Sequence, residues 1–246
     1  MKILVCISKA PDTTSKIAFT NNDTSFDENG VQFIVNPYDE WYALVRALEL
    51  KEASGGTVTT ITVGGADNDP IIRKALAIGA DDAVRVDVDA QDAFEVASQI
   101  AGYAKDKAFD LILCGKETIN YNGAAVGGMV SEILDLPYIS LAIKLEKEGD
   151  GFEIERDVQG GTEVVQVSGS CVVSAAKGMA EQRIPNMRGI MAARSKPLQV
   201  VAPIEVAANT TIESFILPPA KGACKFVDPE NPAELVRLLH EEAKVI

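Results

Sequence analysis

Residues 110–134 read DLILCGKETINYNGAAVGGMVSEIL and contain one complete unit of an α/β fold. The largely apolar run Asp110–Cys114 predicts a buried strand, because it leaves no alternating polar face for solvent. Polar residues predict a loop from Gly115 to Asn122, and apolar spacing then predicts a helix from Gly123 to about Leu134. A strand followed by a loop and a helix is the repeating unit of a parallel sheet with crossover helices.

The same alternation precedes this unit along the first half of the chain. Strands are predicted at residues 2–7, 57–63 and 83–86, and helices at residues 39–53, 69–78 and 91–107. Asp39 is expected to cap the first of these helices, and Asn29-Gly30 is typical of a hairpin turn. We therefore predict an α/β fold: a Rossmann-like, doubly wound, mostly parallel sheet with helices on both faces.

The second half of the chain has a different pattern. Short strands are predicted at residues 139–146, 152–158 and 163–167, and the glycine-rich turns between them indicate an antiparallel meander; a further strand follows at residues 171–174. Residues 200–231 carry prolines and apolar residues without a period, which predicts an extended C-terminal arm that packs on another chain. A helix is predicted at residues 232–244. The proposed division is therefore a nucleotide-binding α/β domain at 1–199 and an arm with its helix at 200–246.

Composition excludes several functional classes. The net charge of −13 argues against a nucleic-acid surface. The sequence contains no run of 18 consecutive apolar residues, so no membrane span is predicted. The only histidine is His240, and the four cysteines form no C-x-x-C pair, which argues against a metal site and a serine-type triad. The cysteines are expected to be reduced, as in a cytoplasmic protein. The adjacent Asp81 and Asp82 are interpreted as structural turn residues.

One segment reverses the acidic balance. Between Ser174 and Pro197 there are five positive residues and one negative residue, Glu181. This local charge indicates a docking segment, although a solvated loop with scattered charges would have the same composition.

The loop after the strand at 110–114 is the strongest candidate for a ligand site. Ligands of open parallel sheets bind at the carboxyl ends of the strands, and Asn120 and Asn122 are good capping residues for the helix that follows. No Lys or Arg lies between Glu117 and Glu132, so a phosphate there would depend on backbone N–H groups. A tight turn without a ligand is the alternative, and Lys116 fits either a ligand contact or a solvated charge. The chain has no Walker A or G-x-G-x-x-G motif, which disfavours an ATPase or an ordinary dehydrogenase.

Several stretches in the same order resemble the beta (small) subunits of electron-transfer flavoproteins. They cover nearly the whole length of the chain. They are Lys2–Ile7, Asn36–Glu40, Arg73–Asp81, Asp110–Ile119, Gly160–Glu163, Glu181–Ala193 and Lys221–Ile246.

The resemblance implies a heterodimer with an alpha subunit that holds most of the FAD contacts, while this chain buries an AMP or a second FAD. It also implies that Tyr38 lies near the FAD of the partner, and that residues 181–191 dock on acyl-CoA dehydrogenase-type donors through Arg183, Met187 and Arg188. The implied nucleotide contacts are Cys6, Asn36, Pro37, Tyr38, Asp39, Val63, Asn122, Gly123, Ala124, Ala125, Val126, Gly127, Gly128, Met129 and Val130, continuing to Ile133.

The expected function is electron transfer without stand-alone catalysis, from donors such as those of fatty acid oxidation toward the respiratory chain. Residues 123–128 of this chain are all Gly, Ala or Val, which keeps the backbone route to phosphate but removes side-chain donors. Two alternatives therefore remain open. One is a bifurcating-type subunit that binds a second FAD and accepts hydride from NADH. The other is a nucleotide-binding regulatory module of the universal-stress type, which leaves the second half of the chain unexplained.

Overall fold

A computed structural model describes all residues from 1 to 246. The strands are β1 Lys2–Cys6, β2 Lys9–Pro11, β3 Phe19–Thr20, β4 Ser25–Phe26, β5 Phe33–Val35, β6 Thr57–Val63, β7 Asp82–Val86, β8 Leu111–Gly115, β9 Tyr138–Glu148, β10 Gly151–Val158, β11 Gly161–Val167, β12 Cys171–Ala175 and β13 Leu198–Val201. The helices are α1 Asp39–Ser54, α2 Asp69–Ile78, α3 Ala93–Ala104, α4 Val126–Leu134, α5 Met187–Ala193 and α6 Pro232–Arg237. A 3₁₀ turn at Ala66–Asn68 precedes α2, and a π-helical turn at Leu238–Ala243 follows α6. No helix is both long enough and apolar enough to cross a bilayer.

The main sheet has nine strands in the order β11-β10-β9-β12-β8-β1-β6-β7-β13. The strands from β9 to β13 in this order pair in parallel, and the β9–β10–β11 meander pairs antiparallel, as predicted. From β1 the chain builds outward through β6 and β7, and it then returns to place β8 on the other side of β1. The strand order therefore reverses between β1 and β8, which is where open parallel sheets bind ligands.

Both faces of this sheet are covered. Alternate residues of β1 enter two different hydrophobic clusters: Ile3 and Val5 face α1 and α2, whereas Leu4 and Cys6 face α3 and α4. This arrangement explains why the strand reads as a continuous apolar run. The predicted doubly wound α/β architecture is confirmed.

The N-terminal hairpin was predicted at the wrong turn. Asn29-Gly30 does form a turn, with Gly30 at φ 72°, but the strands on its two sides do not pair with each other. The hairpin is β3–β4 instead, and its turn contains Asn21, Asn22 and Asp23, all at positive φ. Asn and Asp tolerate the left-handed region better than other non-glycine residues, so this run was a second turn signal.

Helix starts also differ from the predictions. Asp39 is the first residue of α1 and not its cap; Tyr38 precedes it, and no side chain caps this helix. α3 is shorter than the helix predicted at residues 91–107. It begins after Asp92, which caps it by accepting a hydrogen bond from the N–H of Glu95 at 2.8 Å, and it ends at Ala104.

The C-terminal region divides at Phe215. Val200 and Val201 belong to β13, so this strand crosses the boundary drawn at residue 199. After it, the chain is irregular but lies on its own domain: Gln99 and Ile204 exchange two hydrogen bonds of 2.9 Å, and the ring of Phe215 stacks on Phe19 at 4.8 Å.

Beyond Phe215 most of the chain is exposed. Ile216 and Leu217 are exposed, and Phe226 is 93% exposed. In the last helical segment, Leu238 is buried while Leu235 remains exposed.

Candidate functional site

Three loops converge where the strand order reverses. They are the end of β1 with Ser8, the turn between β5 and α1 at residues 36–39, and the long loop between β8 and α4. Asn36 joins all three. Its N–H donates to the carbonyl of Ser8 at 3.2 Å, its Nδ2 donates to the carbonyl of Glu117 at 3.1 Å, and its Oδ1 accepts from the N–H of Ile119 at 3.0 Å. Asn36 is completely buried, so these bonds organise the floor of the site.

Tyr38 lies at the rim of the site in an unusual backbone conformation. Its φ is 65° and its ψ is −96°, although it has a β-carbon. Such outliers cost on the order of 1–3 kcal/mol and persist where the surroundings impose them. Here Pro37 precedes Tyr38 and α1 begins directly after it, with the Tyr42 N–H donating to the Tyr38 carbonyl at 2.7 Å. The strained turn leaves the Tyr38 side chain 57% exposed at the mouth of the site.

Beneath this rim lies a carboxyl group that was not among the predicted site residues. Glu40 is buried, and its two carboxyl oxygens accept from the N–H and the hydroxyl of Ser8, both at 2.7 Å. Burial raises the pKa of Glu40 to about 8, although the two Ser8 donors act in the opposite direction. The spacing could have revealed it, because Glu40 is four residues before the buried Leu44 and so lies on the buried face of α1.

The end of β8 packs directly against the start of α1. A β-carbon on Gly115 would lie 2.9 Å from the backbone nitrogen of Glu40, so only glycine permits this approach. Asp39 is also buried, and burial raises its pKa. Lys116, whose role the sequence left open, pairs with the neighbouring Glu117 at 2.8 Å. The site therefore contains no unpaired cation next to the loop.

The loop before α4 presents a run of free backbone donors. The helix begins at Val126 and not at Gly123, with Ala125 preceding it, and neither Asn120 nor Asn122 caps it. Asn122 and Ala124 both have φ 48°, which bends the loop before the helix starts. None of the six N–H groups from Gly123 to Gly128 donates to an acceptor within the chain. A side-chain cap would have used one of these donors, so its absence leaves the start of the helix able to bind an anion through its backbone.

The glycines of this loop have different roles. A β-carbon on Gly123 would meet no atom within 4 Å, so its side of the loop is open. A β-carbon on Gly127 would lie 3.0 Å from the Tyr138 ring, so this glycine is required for packing within the protein. Val130 is fully buried in the second cluster, whereas Met129 only packs against its edge.

The floor of the site between β1 and β8 contains two cysteines. The sulfurs of Cys6 and Cys114 lie 3.5 Å apart without a disulfide, and both residues are buried. The hydrogen bond from Cys114 and burial raise the pKa of the Cys6 thiol well above its usual range, so it stays protonated. Val63, at the end of β6, packs against the hydrophobic cluster on the α3–α4 side of the sheet, to which both cysteines belong. Together these residues make an apolar floor below the polar loops.

The acidic pair Asp81–Asp82 lies away from these loops, at the opposite end of the strands. Asp81 accepts from Lys51 at 2.6 Å and from the N–H of Val58 at 2.8 Å, which is the structural role predicted for it.

The basic segment lies elsewhere again, on the α1–α2 side of the sheet. Met187 is the first residue of α5, and both it and Arg188 are exposed. Arg183, in contrast, is engaged within the chain through Glu52.

Comparison with known proteins gives a consistent picture. A family model described as the electron transfer flavoprotein domain matches residues 23–206. Electron transfer flavoprotein subunit beta of Bacillus subtilis (strain 168) is 38% identical over 261 aligned positions, covering 100% of both chains. The human protein of the same name is 29% identical over 255 positions, covering 100% of this chain and 99% of its own. Acryloyl-CoA reductase electron transfer subunit gamma of Anaerotignum propionicum is 32% identical over 209 positions, covering 82% of this chain and 77% of its own.

Proposed function

The chain belongs to the electron transfer flavoprotein family as a beta subunit, and on this premise we propose that it is the nucleotide-binding half of a heterodimeric electron carrier. Its partner is an alpha subunit that holds most of the contacts to FAD. In this account the beta chain buries an AMP, forms one wall of the flavin site and docks the complex on its electron donor. It carries out no stand-alone catalysis.

The observation that carries the nucleotide proposal is the run of free donors at residues 123–128. A phosphate group needs several hydrogen-bond donors, and backbone N–H groups at the start of a helix provide both donors and a favourable dipole. The donors lie beside the reversal of strand order, and the buried Asn36 fixes the loop that carries them. Residues Gly123–Gly128 would hold the phosphate, while Cys6 and Val63 would form the apolar floor.

The rim of the site, at Tyr38, suits a second ligand that is shared with the alpha subunit. FAD supplies the reversible acceptance and release of electrons when it is bound. Tyr38 presents an exposed aromatic ring whose position is imposed by a strained backbone, and a rigid ring of this kind can cover one side of a planar group. We infer that Tyr38 faces the FAD held by the alpha subunit.

The proposed donors are acyl-CoA dehydrogenase-type enzymes, from which electrons pass toward the respiratory chain. One relative is named as the electron transfer subunit of an acryloyl-CoA reductase, which supports a link between subunits of this type and acyl-CoA chemistry. The exposed basic segment around Met187 is the proposed contact surface.

A bifurcating-type subunit with a second FAD is the second candidate. The observation that favours it is the absence of side-chain donors along Gly123-Ala124-Ala125, which leaves the identity of the nucleotide to the backbone alone. A regulatory module of the universal-stress type has no comparable support, because the family match extends through the meander and the basic segment.

The function can be tested by co-expressing the chain with its alpha subunit. The purified complex is mixed with a purified acyl-CoA dehydrogenase and its acyl-CoA substrate. Bleaching of the flavin absorbance of the complex, dependent on both the dehydrogenase and the acyl-CoA, is the expected result. A complex that carries flavin but is reduced only by NADH would favour the bifurcating candidate instead.

A further inference from the structure

The basic segment is attached to the body of the domain at two contact points. We name residues 181–193 the docking segment. A groove of about 450 Å³ separates it from the end of α2, with Ile78, Gly79 and Arg183 among its lining residues. Ala193 packs into the core at the C-terminal end of this segment, whereas the residues beside the groove depend more on individual polar contacts.

The first contact point is Arg183. Its guanidinium donates to both carboxyl oxygens of Glu52 in the last turn of α1, at 2.7 and 3.1 Å. The Arg183 guanidinium lowers the pKa of Glu52, as expected for an ion pair that forms in the folded protein. The backbone carbonyl of Arg183 accepts a hydrogen bond from the indole Nε1 of Trp41 at 3.1 Å, and Trp41 is a buried residue of α1. Both ends of Arg183 are therefore attached to the same helix.

The second contact point lies at the end of α5. Arg73, in α2, donates from one nitrogen to the carbonyls of Ala193 and Lys196, at 2.8 and 2.7 Å. At the start of the helix, Asn186 caps the N–H of Gly189 at 2.9 Å. A β-carbon on Gly189 would collide with the carbonyl of Ala77, so the helix can lie this close to α2 only with glycine there.

The outward surface of the segment has a different character. Ile184, Met187 and Met191 are 80%, 73% and 60% exposed. Met187 and Met191 are one helical turn apart in α5 and so lie on the same face, while Ile184 precedes the helix. Arg188 is exposed and takes part in no ion pair. The surface offered to a partner is thus apolar with a free cation, which fits a protein with an apolar pocket and an acidic rim.

We propose that Arg183, Glu52 and Trp41 are positioning residues that hold the docking segment in its binding conformation, whereas Met187 and Arg188 contact the donor. This assignment rests on the proposed docking function. It gives Arg183 a positioning role, whereas the family resemblance implies that Arg183 contacts the donor directly. A segment that is already ordered loses less conformational freedom when it binds. Loosening it therefore weakens the encounter with the donor and leaves the flavin chemistry unaltered.

A charge-swap cycle tests this assignment. Reduction of the wild-type heterodimer and of its variants is measured with one purified acyl-CoA dehydrogenase at saturating acyl-CoA, and KM and kcat are obtained separately. The variants are Glu52→Arg, Arg183→Glu and the double variant. Because an exposed ion pair contributes modestly, each single change is expected to raise KM about three- to tenfold without changing kcat, and the double variant to return within about twofold of wild type. Asp150→Arg, in the exposed β9–β10 turn, controls for the change in net charge.

Direct contact between Arg183 and the donor predicts a different pattern. Glu52→Arg would then be neutral, and the double variant would stay as impaired as Arg183→Glu; this outcome overturns the assignment. Unchanged KM in both single variants overturns it as well. Trp41→Phe, which removes the indole donor but keeps an aromatic ring, gives an independent measurement and is also expected to raise KM.

Met187→Ala and Arg188→Gln separate this inference from the proposed function. If they raise KM and the charge-swap variants do not, only the positioning role fails. If none of the variants affects KM while the donor still reduces the complex, the docking function of the segment fails.

Discussion

Asn36 accepts a hydrogen bond from the backbone N–H of Ile119 at 3.0 Å, although the two residues are 83 positions apart in the chain. Together with the bond from its Nδ2 to the carbonyl of Glu117, this contact fixes the loop that carries the free backbone donors. At the far end of this loop, the N–H groups from Gly123 to Gly128 have no acceptor in the protein.

Asn36→Asp is therefore expected to weaken nucleotide retention. The aspartate can still accept from Ile119, but it loses the donor to Glu117 and places a buried charge beside a carbonyl. Leaving a buried polar group such as the Glu117 carbonyl without its hydrogen-bond partner costs about 1–3 kcal/mol. The nucleotide content of the purified complex and its thermal unfolding midpoint should both fall. Asn22→Asp, at an exposed turn where the side chain makes no hydrogen bond within the chain, is the matched control, and equal nucleotide content in the two variants would remove Asn36 from the site.

Gly123→Val tests whether the open side of the loop receives the ligand. Gly123 is not at positive φ, and a side chain there would meet no protein atom, so the substitution should leave folding intact. A bulky side chain at the approach to the free donors should nevertheless reduce bound nucleotide about tenfold or more, which corresponds to about 1.4 kcal/mol. Gly161→Val, also in open space but in the meander, controls for the same change. Full nucleotide content in Gly123→Val would place the ligand elsewhere.

Glu40 predicts a pH dependence of stability. Its folded-state pKa of about 8 lies above the ordinary value of 4.5, so the folded protein holds a proton that unfolding releases near neutral pH. The contribution of Glu40 is complete below pH 4.5 and is lost as the pH rises through about 8. Glu40→Gln cannot ionise, so the variant should become more stable relative to wild type between pH 5.5 and pH 8.5, by at most about 3 kcal/mol.

Thermal unfolding of the heterodimer at several pH values measures this difference. The exposed Glu205→Gln should show a constant difference from wild type over the same range. A constant difference for Glu40→Gln as well would mean that Glu40 is already ionised in the folded protein at pH 5.5.

The far half of the C-terminal arm is expected to form the contact with the alpha subunit. Phe226 is 93% exposed and makes no aromatic contact in this chain, so replacing it cannot destabilise the domain through lost packing. Phe226→Asp should weaken assembly with the alpha subunit about tenfold or more, because aromatic residues often dominate interfaces. Val164→Asp, on an exposed strand at the edge of the sheet, is the matched control.

Truncation after Phe215 gives the stronger form of this test. It removes the exposed half of the arm and keeps the part that lies on α3 and on the β3–β4 hairpin. Size exclusion with detection of flavin absorbance should show no stoichiometric yellow complex. A complex of normal size and colour would mean that the arm serves its own domain only.

The architecture could be predicted because hydrophobic periodicity is a local property. Thr57–Val63 was identified to the residue, and the buried strands and their helices followed the same pattern. The placement of β12 between β8 and β9 was not predictable, because strand order depends on tertiary packing. β13 was missed for a related reason: it lies between Pro197 and Pro203 in a stretch without regular signals, and pairing with β7 defines it.

The site was predictable as a set of loops but not as a set of contacts. The position of the loop before α4 followed from the strand–helix pattern, whereas its free donors depend on the left-handed Asn122 and Ala124. The ion pair of Arg183 with Glu52 joins residues 131 positions apart, so no local pattern indicates it. The proposals about the nucleotide loop and the docking segment depend on such long-range polar contacts, which only the folded structure reveals.

The identity of the bound nucleotides tests whether this chain binds AMP while the alpha subunit holds FAD. The heterodimer is purified without added nucleotide and heated, and the released ligands are identified and quantified by liquid chromatography with mass spectrometry. We expect equimolar FAD and AMP, with AMP lost and FAD retained in Gly123→Val. Release of FAD in twice the molar amount of the heterodimer, with no AMP, would contradict it.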